Sequence, residues 1–305
     1  MQPIRGIALK LISLVMFVTM ASLIKTTAGR VPAGEVVFFR SFFAIPVIVI
    51  ALAWSRELST GFRAVNPIGH VWRGLVGTTA MGLGFAGLQL LPFPEVTAIG
   101  YAAPLLTVIF AAMFLNEEVR LFRITAVALG LVGVMIVLSP RLSVIGTGTV
   151  EPRESLGAMI VLTSAVCAAL AQVFVRKLVV TERTSAIVFW FCVTSTTLSL
   201  TTIPFGWVRP TPVDAAVLVL AGLFGGVGQI LLTSAYRYAS ASVVAPFEYT
   251  TMLLTLGIGY FIFGEVPTLV MLAGATLVVA AGVLIIWRER QLGIERSNQR
   301  KAMTP

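Results

Sequence analysis

Apolar residues in this chain fall in runs of roughly 16 to 22, each broken by a short polar connector. That spacing suits the ~20 residues an α-helix needs to cross a ~30 Å hydrocarbon slab. The runs predict ten helices, over residues 7–28, 34–54, 70–90, 94–115, 122–139, 156–176, 185–206, 213–236, 242–263 and 268–287. Helix breakers mark their ends: Pro32, Pro67, Pro92, Pro94, Pro140, Pro152, Pro210, Pro212 and Pro267. The first run, behind Arg5 and Lys10, resembles a secretory signal in pattern, but nine spans follow and it reads as an uncleaved first helix.

The pattern repeats. Residues 83–118 align with 230–265 at a constant offset of 147, laying VTAIGYAAPLLTVIFAAMFLNEEV over VVAPFEYTTMLLTLGIGYFIFGEV. Near the start of each half, EVVFFRSFFA lies over AIVFWFCVTS at an offset of 151, so Arg40 corresponds to Phe191 and Glu35 to Ala186. GLVGVMIVL similarly matches VAAGVLIIW after a two-residue slip. Each copy holds five helices. An odd number makes the second copy enter the bilayer from the opposite side, the inverted repeat of secondary transporters.

Composition sharpens this picture. The chain has 305 residues, is 57% hydrophobic and 11% charged, and its mean hydropathy is +0.96. Soluble domains carry about a quarter charged residues. The prediction is an all-α integral membrane protein of ten transmembrane helices, arranged as two inverted five-helix repeats. Residues 1–139 form the first repeat, 140–155 a periplasmic linker, 156–287 the second repeat and 288–305 a basic cytoplasmic tail.

The net charge of +9 does not indicate nucleic acid, because the basic residues collect at helix ends rather than on one stripe. With the N-terminus placed in the cytoplasm, sixteen lie in inner segments or at inner span ends (Arg73 among them), five on the outer side, and Arg40 is counted as intramembrane. The excess of inner Lys and Arg places both termini in the cytoplasm. Cys167 and Cys192 sit in apolar runs and read as structural thiols, and a single histidine, His70, excludes histidine-rich metal sites.

NEEV at 116–119 and GEVP at 264–267 each follow the fourth helix of a half and precede a small-residue helix ending in GV. This arrangement resembles the drug/metabolite transporter superfamily, and within it the EamA family. RGIALKLISLVMFVTMASLIKTTAG, GEVVFFRSFFAIP, GHVWRGLVGTTAMGLGFAGLQLLPFPE and AIGYAAPLLTVIFAAMFLNEEVRLFR are similar to bacterial inner-membrane riboflavin transporters of that family. The resemblance implies alternating-access transport of a small metabolite across the bacterial inner membrane, with riboflavin uptake expected first. Relatives with similar motifs handle amino acids or S-adenosylmethionine, and export uses the same topology.

Two charges fall inside spans. Arg40 stands six residues into GEVVFFRSFFAIP, and a charge at that depth faces either a wet cavity, a partner or, by snorkelling, the interface. Glu248, in PFEYTT, corresponds to Tyr101 in GYAAP; Pro246 frees a carbonyl beside it and marks a turn that can unwind. Burial raises a carboxyl pKa toward neutrality, so Glu248 is the candidate proton carrier, with an ion pair to Arg237 as the structural alternative. Tyr101, Gln172, Trp190, Gln229 and Tyr249 (with Gln89 beside them) are the candidate cavity residues, since a planar solute needs aromatic faces and a few amides. Packing and interhelical hydrogen bonding are the competing readings of each. Glu118 and Glu265 read as structural hinges.

No G-x-x-x-x-G-K-[ST] occurs, so ATP coupling within this chain is excluded. One histidine and one aspartate leave no constellation for a lipid-directed enzyme. No ring of like charges or carbonyl filter points to a channel, the non-transporter alternative together with a receptor. No cofactor and no metal are expected; the partners are the bilayer and a small-molecule substrate, and either monomer or homodimer fits.

Overall fold

A computed structural model describes residues 3–56, 61–115, 121–142, 152–178, 181–238, 247 and 249–302. Among them are eleven α-helices and no strand: α1 (Pro3–Thr26), α2 (Ala33–Trp54), α3 (Pro67–Leu90), α4 (Phe93–Gly100), α5 (Ala102–Leu115), α6 (Leu121–Leu142), α7 (Pro152–Leu178), α8 (Thr184–Leu200), α9 (Pro212–Tyr238), α10 (Thr250–Phe263) and α11 (Leu269–Ala302). α4 and α5 share one apolar span, Phe93–Phe114. Among the described residues five spans are long and apolar enough to cross a membrane, and four shorter apolar helices accompany them.

Differences from the sequence expectation have local causes. α3 begins at Pro67 rather than 70 because the Asn66 side chain caps it, accepting the Gly69 N–H at 2.9 Å. Proline fits that first helical position, where its missing N–H goes unused. The fourth span, expected to be continuous over 94–115, breaks at Tyr101. Pro104 has no N–H to offer the Gly100 carbonyl four residues back, and it sits in the first turn of the new helix. Pro204 likewise ends α8 at Leu200 instead of 206; a short 3-10 turn over Ile203–Phe205 then closes on Gly206 at φ 96°.

The expected linker at 140–155 is helical at both ends, as α6 runs to Leu142 and α7 starts at Pro152. The expected separate tail after 287 continues α11 to Ala302, held in part by Arg288 Nη1 donating to Gln291 Oε1 at 3.2 Å. α10 begins at Thr250; residues 242–246 and Glu248 of the predicted ninth span lie outside the described residues.

Helix packing follows the repeat. α1 packs on α9 as α7 packs on α3, and α2 on α9 as α8 on α3. α2 meets α8 and α6 meets α11, each helix against its own counterpart. The two halves thus interleave instead of standing side by side. Glycines make the close approaches possible. A methyl at Gly222 would meet Phe43 Cβ at 2.6 Å and the Phe39 carbonyl at 2.9 Å; at Gly74 it would meet Thr194 at 2.5 Å. On α6 and α11, Gly133 and Gly274 bring the backbones so near that a Cβ on either would lie under 3 Å from the other's carbonyl oxygen. Such small-residue seams replace the hydrophobic drive that lipid cannot supply.

Polar ties gather at the two ends. At one, Lys25 Nζ lies 2.8 Å from Glu265 Oε1 and donates to the Leu91 carbonyl at 2.9 Å, while Glu265 Oε2 accepts the Phe93 N–H at 2.8 Å. Beside it Arg30 pairs with Asp214 at 2.7 Å, which holds the exposed guanidinium above its ordinary pKa through the side-chain hydrogen bond. Glu35 Oε2 accepts the Val208 N–H. At the opposite end Glu182 Oε1 accepts the Val65 and Asn66 N–H groups at 2.7 and 2.6 Å and lies 3.2 Å from His70 Nε2.

Candidate functional site

The break at Tyr101 opens a cavity of about 380 Å³ lined by Thr97, Gly100, Tyr101, Ala103, Pro104, Thr107, Ala168, Gln172 and Thr251. The interruption itself builds this wall. The Tyr101 N–H still donates to the Thr97 carbonyl at 3.2 Å, but Pro104 leaves the Gly100 carbonyl without its usual donor, and at membrane depth only a cavity or protein can satisfy such a group. Gln172 of α7 is an exposed residue that contributes to the lining. Tyr249, just before α10, packs its ring edge-on against Tyr101 with centroids 5.3 Å apart. The residue before α5 in one repeat thereby touches the residue before α10 in the other.

Tyr249 is seated by a glycine. Its hydroxyl lies where a Cβ on Gly282 would be, so α11 receives the tyrosine only because position 282 has no side chain. Of the sequence candidates, Tyr101, Gln172 and Tyr249 come together here, and Glu248 lies outside the described residues.

The remaining candidates stand elsewhere. Trp190 donates its indole N–H to the Phe62 carbonyl at 2.9 Å and packs against Phe189, tying α8 to the segment before α3. Gln89 donates to the Val31 carbonyl at 2.9 Å. Gln229 is half-buried on α9 and does not line the cavity.

Arg40 is 6% exposed, which corrects the snorkelling alternative: it points into the bundle, not to the interface. Its guanidinium carbon lies 5.8 Å from the Phe191 ring centre. Phe191 carries a second cation: Arg73, counted in the sequence among inner connector charges, lies with its guanidinium 3.8 Å from the same ring. Arg73 stands less than two turns into α3, but its side chain extends further into the bundle across Gly77, where a methyl would collide with Nη1. Gly225 makes the matching room on α9, with Arg40 Nε 3.2 Å from its would-be Cβ. Sequence reasoning missed Arg73 because position along the helix says nothing about the direction of a long side chain. Its glycine four residues on was the available signal.

Nε and Nη1 of both arginines are buried without a hydrogen-bond acceptor. About one turn beyond Arg73 on α3 and Phe191 on α8, the Thr78 and Ser195 hydroxyls share a 2.7 Å hydrogen bond.

Comparison with known proteins agrees with this architecture. The model of the EamA-like transporter family matches residues 4–139 and 155–287, one stretch for each repeat. An S-adenosylmethionine uptake transporter of Rickettsia bellii is 28% identical over 286 residues, covering 94% of both chains. Pseudopaline exporter CntI of Pseudomonas aeruginosa is 28% identical over 92% of this chain and 95% of its own. A riboflavin transporter of Rhizobium johnstonii is 28% identical over 85% of this chain and 82% of its own. A solved crystal structure shares the fold with a TM-score of 0.66 and 22% identity, covering 94% of this chain and 98% of that one.

Proposed function

The chain belongs to the EamA-like transporter family, and from that premise we propose that it moves a small solute with a planar heteroaromatic part across the bacterial inner membrane by alternating access, both termini lying in the cytoplasm. It is a multi-pass membrane transporter rather than an enzyme. One observation carries the substrate reading: the cavity where α4 breaks into α5, with Tyr101 and Gln172 among its lining residues and Tyr249 edge-on against Tyr101. Aromatic walls receive a flat ring and an amide reads its edge. Riboflavin and S-adenosylmethionine both carry such a ring, and each is named in a relative.

Interleaved packing supports the mechanism. Each half of the molecule grips the other through repeat-related helix pairs, so rocking one against the other exposes a central site to each face in turn. Glu248 remains the proposed proton carrier, and Gln229 and Trp190 remain proposed for substrate binding or gating.

The test is reconstitution into proteoliposomes with labelled riboflavin and labelled S-adenosylmethionine in separate counterflow assays. Saturable exchange of one, lost in Tyr101→Ala, supports the reading. Absence of exchange with both sinks the heteroaromatic reading, and saturable exchange of amino acids instead would move the substrate class to those. Export is the second reading, favoured by the pseudopaline exporter among the relatives; preferred exit from right-side-out vesicles would select it.

A further inference from the structure

Two guanidinium groups converge on one phenylalanine inside the bundle; the Cys192 thiol neighbours both, and among the described residues no carboxylate forms an ion pair with either. Arg40 comes from α2 and Arg73 from α3, and their centres sit 5.8 and 3.8 Å from the Phe191 ring. Nε and Nη1 of each lack an acceptor among the described residues, four unpaired donors in all. Phe191 supplies a face to each cation, but a ring quadrupole offsets a fraction of a buried charge. Among the described residues, Glu35 is engaged by the Val208 N–H, Asp214 by Arg30, Glu265 by Lys25 and Glu182 by the 65–66 backbone, and none of these four pairs with either arginine.

A charge buried among apolar helices is costly, and a like neighbour adds repulsion. A fold built for stability alone would not keep two. The repeat makes the point sharper. The position matching Arg40 is Phe191 itself, so symmetry does not demand the charge. Both repeats nevertheless provide a glycine, Gly77 and Gly225, against which an arginine side chain lies.

We propose that Arg40 and Arg73 form a binding site for an oxyanion, the carboxylate or phosphate of a small solute, with Phe191 as the apolar wall for the carbon next to it. The inference rests on the transporter reading above and narrows its substrate class to organic anions or zwitterions. Guanidinium forks match planar carboxylates and phosphate edges bidentately, which selects an oxyanion over a spherical halide. Riboflavin carries neither group, whereas S-adenosylmethionine carries a carboxylate. The pair therefore favours the second of the two solutes.

The experiment measures thermal melting of the full chain in lipid nanodiscs, in sodium acetate, sodium phosphate and sodium chloride at matched ionic strength. Binding to the folded form raises the midpoint, by about 3 °C for an oxyanion at tenfold its dissociation constant. Acetate above phosphate identifies a carboxylate site, and the reverse a phosphate site. Phosphate also stabilises proteins non-specifically by exclusion from their surface, so Arg73→Gln and Arg40→Gln are run alongside. Both variants should lose the oxyanion-dependent shift, and in chloride Arg73→Gln should melt at or above the parent because an unpaired charge is gone. Equal midpoints in the three salts overturn the site, as does a shift that survives in both variants. Neither readout needs transport, so a null result here leaves the counterflow outcome to judge the transporter reading on its own.

Discussion

Arg40 and Phe191 occupy matching positions in the two repeats, and in the folded chain they face each other, the guanidinium carbon 5.8 Å from the ring centre. α2 and α8 are each other's counterparts and pack together, so repeat-related residues meet near the axis that relates the halves. There the symmetry of the fold is broken by chemistry: a cation on one side, a π-face on the other.

Replacing that face should be felt as stability. Phe191→Leu keeps the apolar volume but removes the ring from both cations, a desolvated cation–π contact being worth about 2 kcal/mol. The expected result is a melting midpoint lowered by about 4–8 °C, read by fluorescence in nanodiscs. Phe191→Tyr, which keeps the π-face, should lose markedly less.

Gly282→Ala should act on the cavity from behind. The new methyl occupies the place of the Tyr249 hydroxyl and forces the ring off Tyr101. Counterflow exchange is expected to fall by about tenfold or more, consistent with ~1.4 kcal/mol per decade. The double variant Gly282→Ala with Tyr249→Phe removes the colliding oxygen but leaves Cζ inside contact distance of the new methyl, so it should recover only part of the loss, an outcome that simple misfolding would not give.

Tyr101 and Trp190 should separate in kinetics. Tyr101→Ala is expected to raise KM for counterflow several-fold with little change in melting. Trp190→Phe breaks the 2.9 Å hydrogen bond to Phe62, so it should lower the midpoint by about 2–4 °C, for roughly 1 kcal/mol, and move KM less than Tyr101→Ala does.

Lys25 and Glu265 latch one end of the bundle at 2.8 Å. Glu265→Gln weakens the pair while keeping an acceptor for the Phe93 N–H. A cysteine introduced at Gln89, near that end, should then react several-fold faster with an impermeant maleimide. An unchanged rate would remove the latch from the gating account.

Glu248→Gln tests coupling. A neutral amide cannot take up or release a proton, so uptake driven by an imposed pH gradient should collapse while counterflow, which needs no net proton movement, persists. Loss of both together would assign Glu248 to binding rather than to coupling.

Much of this was legible in one dimension. Runs of apolar residues, prolines at their ends and the 147-residue offset identify a membrane bundle with repeated halves, because helix length and lipid thickness are set by local composition. Tyr101 and Gln172 were legible as polar oddities within apolar spans. Arg73 was not: its Cα lies near an end of α3, and only the direction of its long side chain, across Gly77 toward α8, carries the charge into the bundle. The break at Tyr101 was hidden in the same way, since Pro104 can begin a helix as readily as interrupt one.

The amino-acid order by itself determined where the chain crosses the bilayer and how its halves correspond, since both depend on the solvation of each segment taken alone. Which residues share a cavity, which arginines lie without a counter-charge and which glycine admits Tyr249 were decided by tertiary structure. Those properties belong to pairs of helices brought within a few ångströms, and no single segment contains the distance between them.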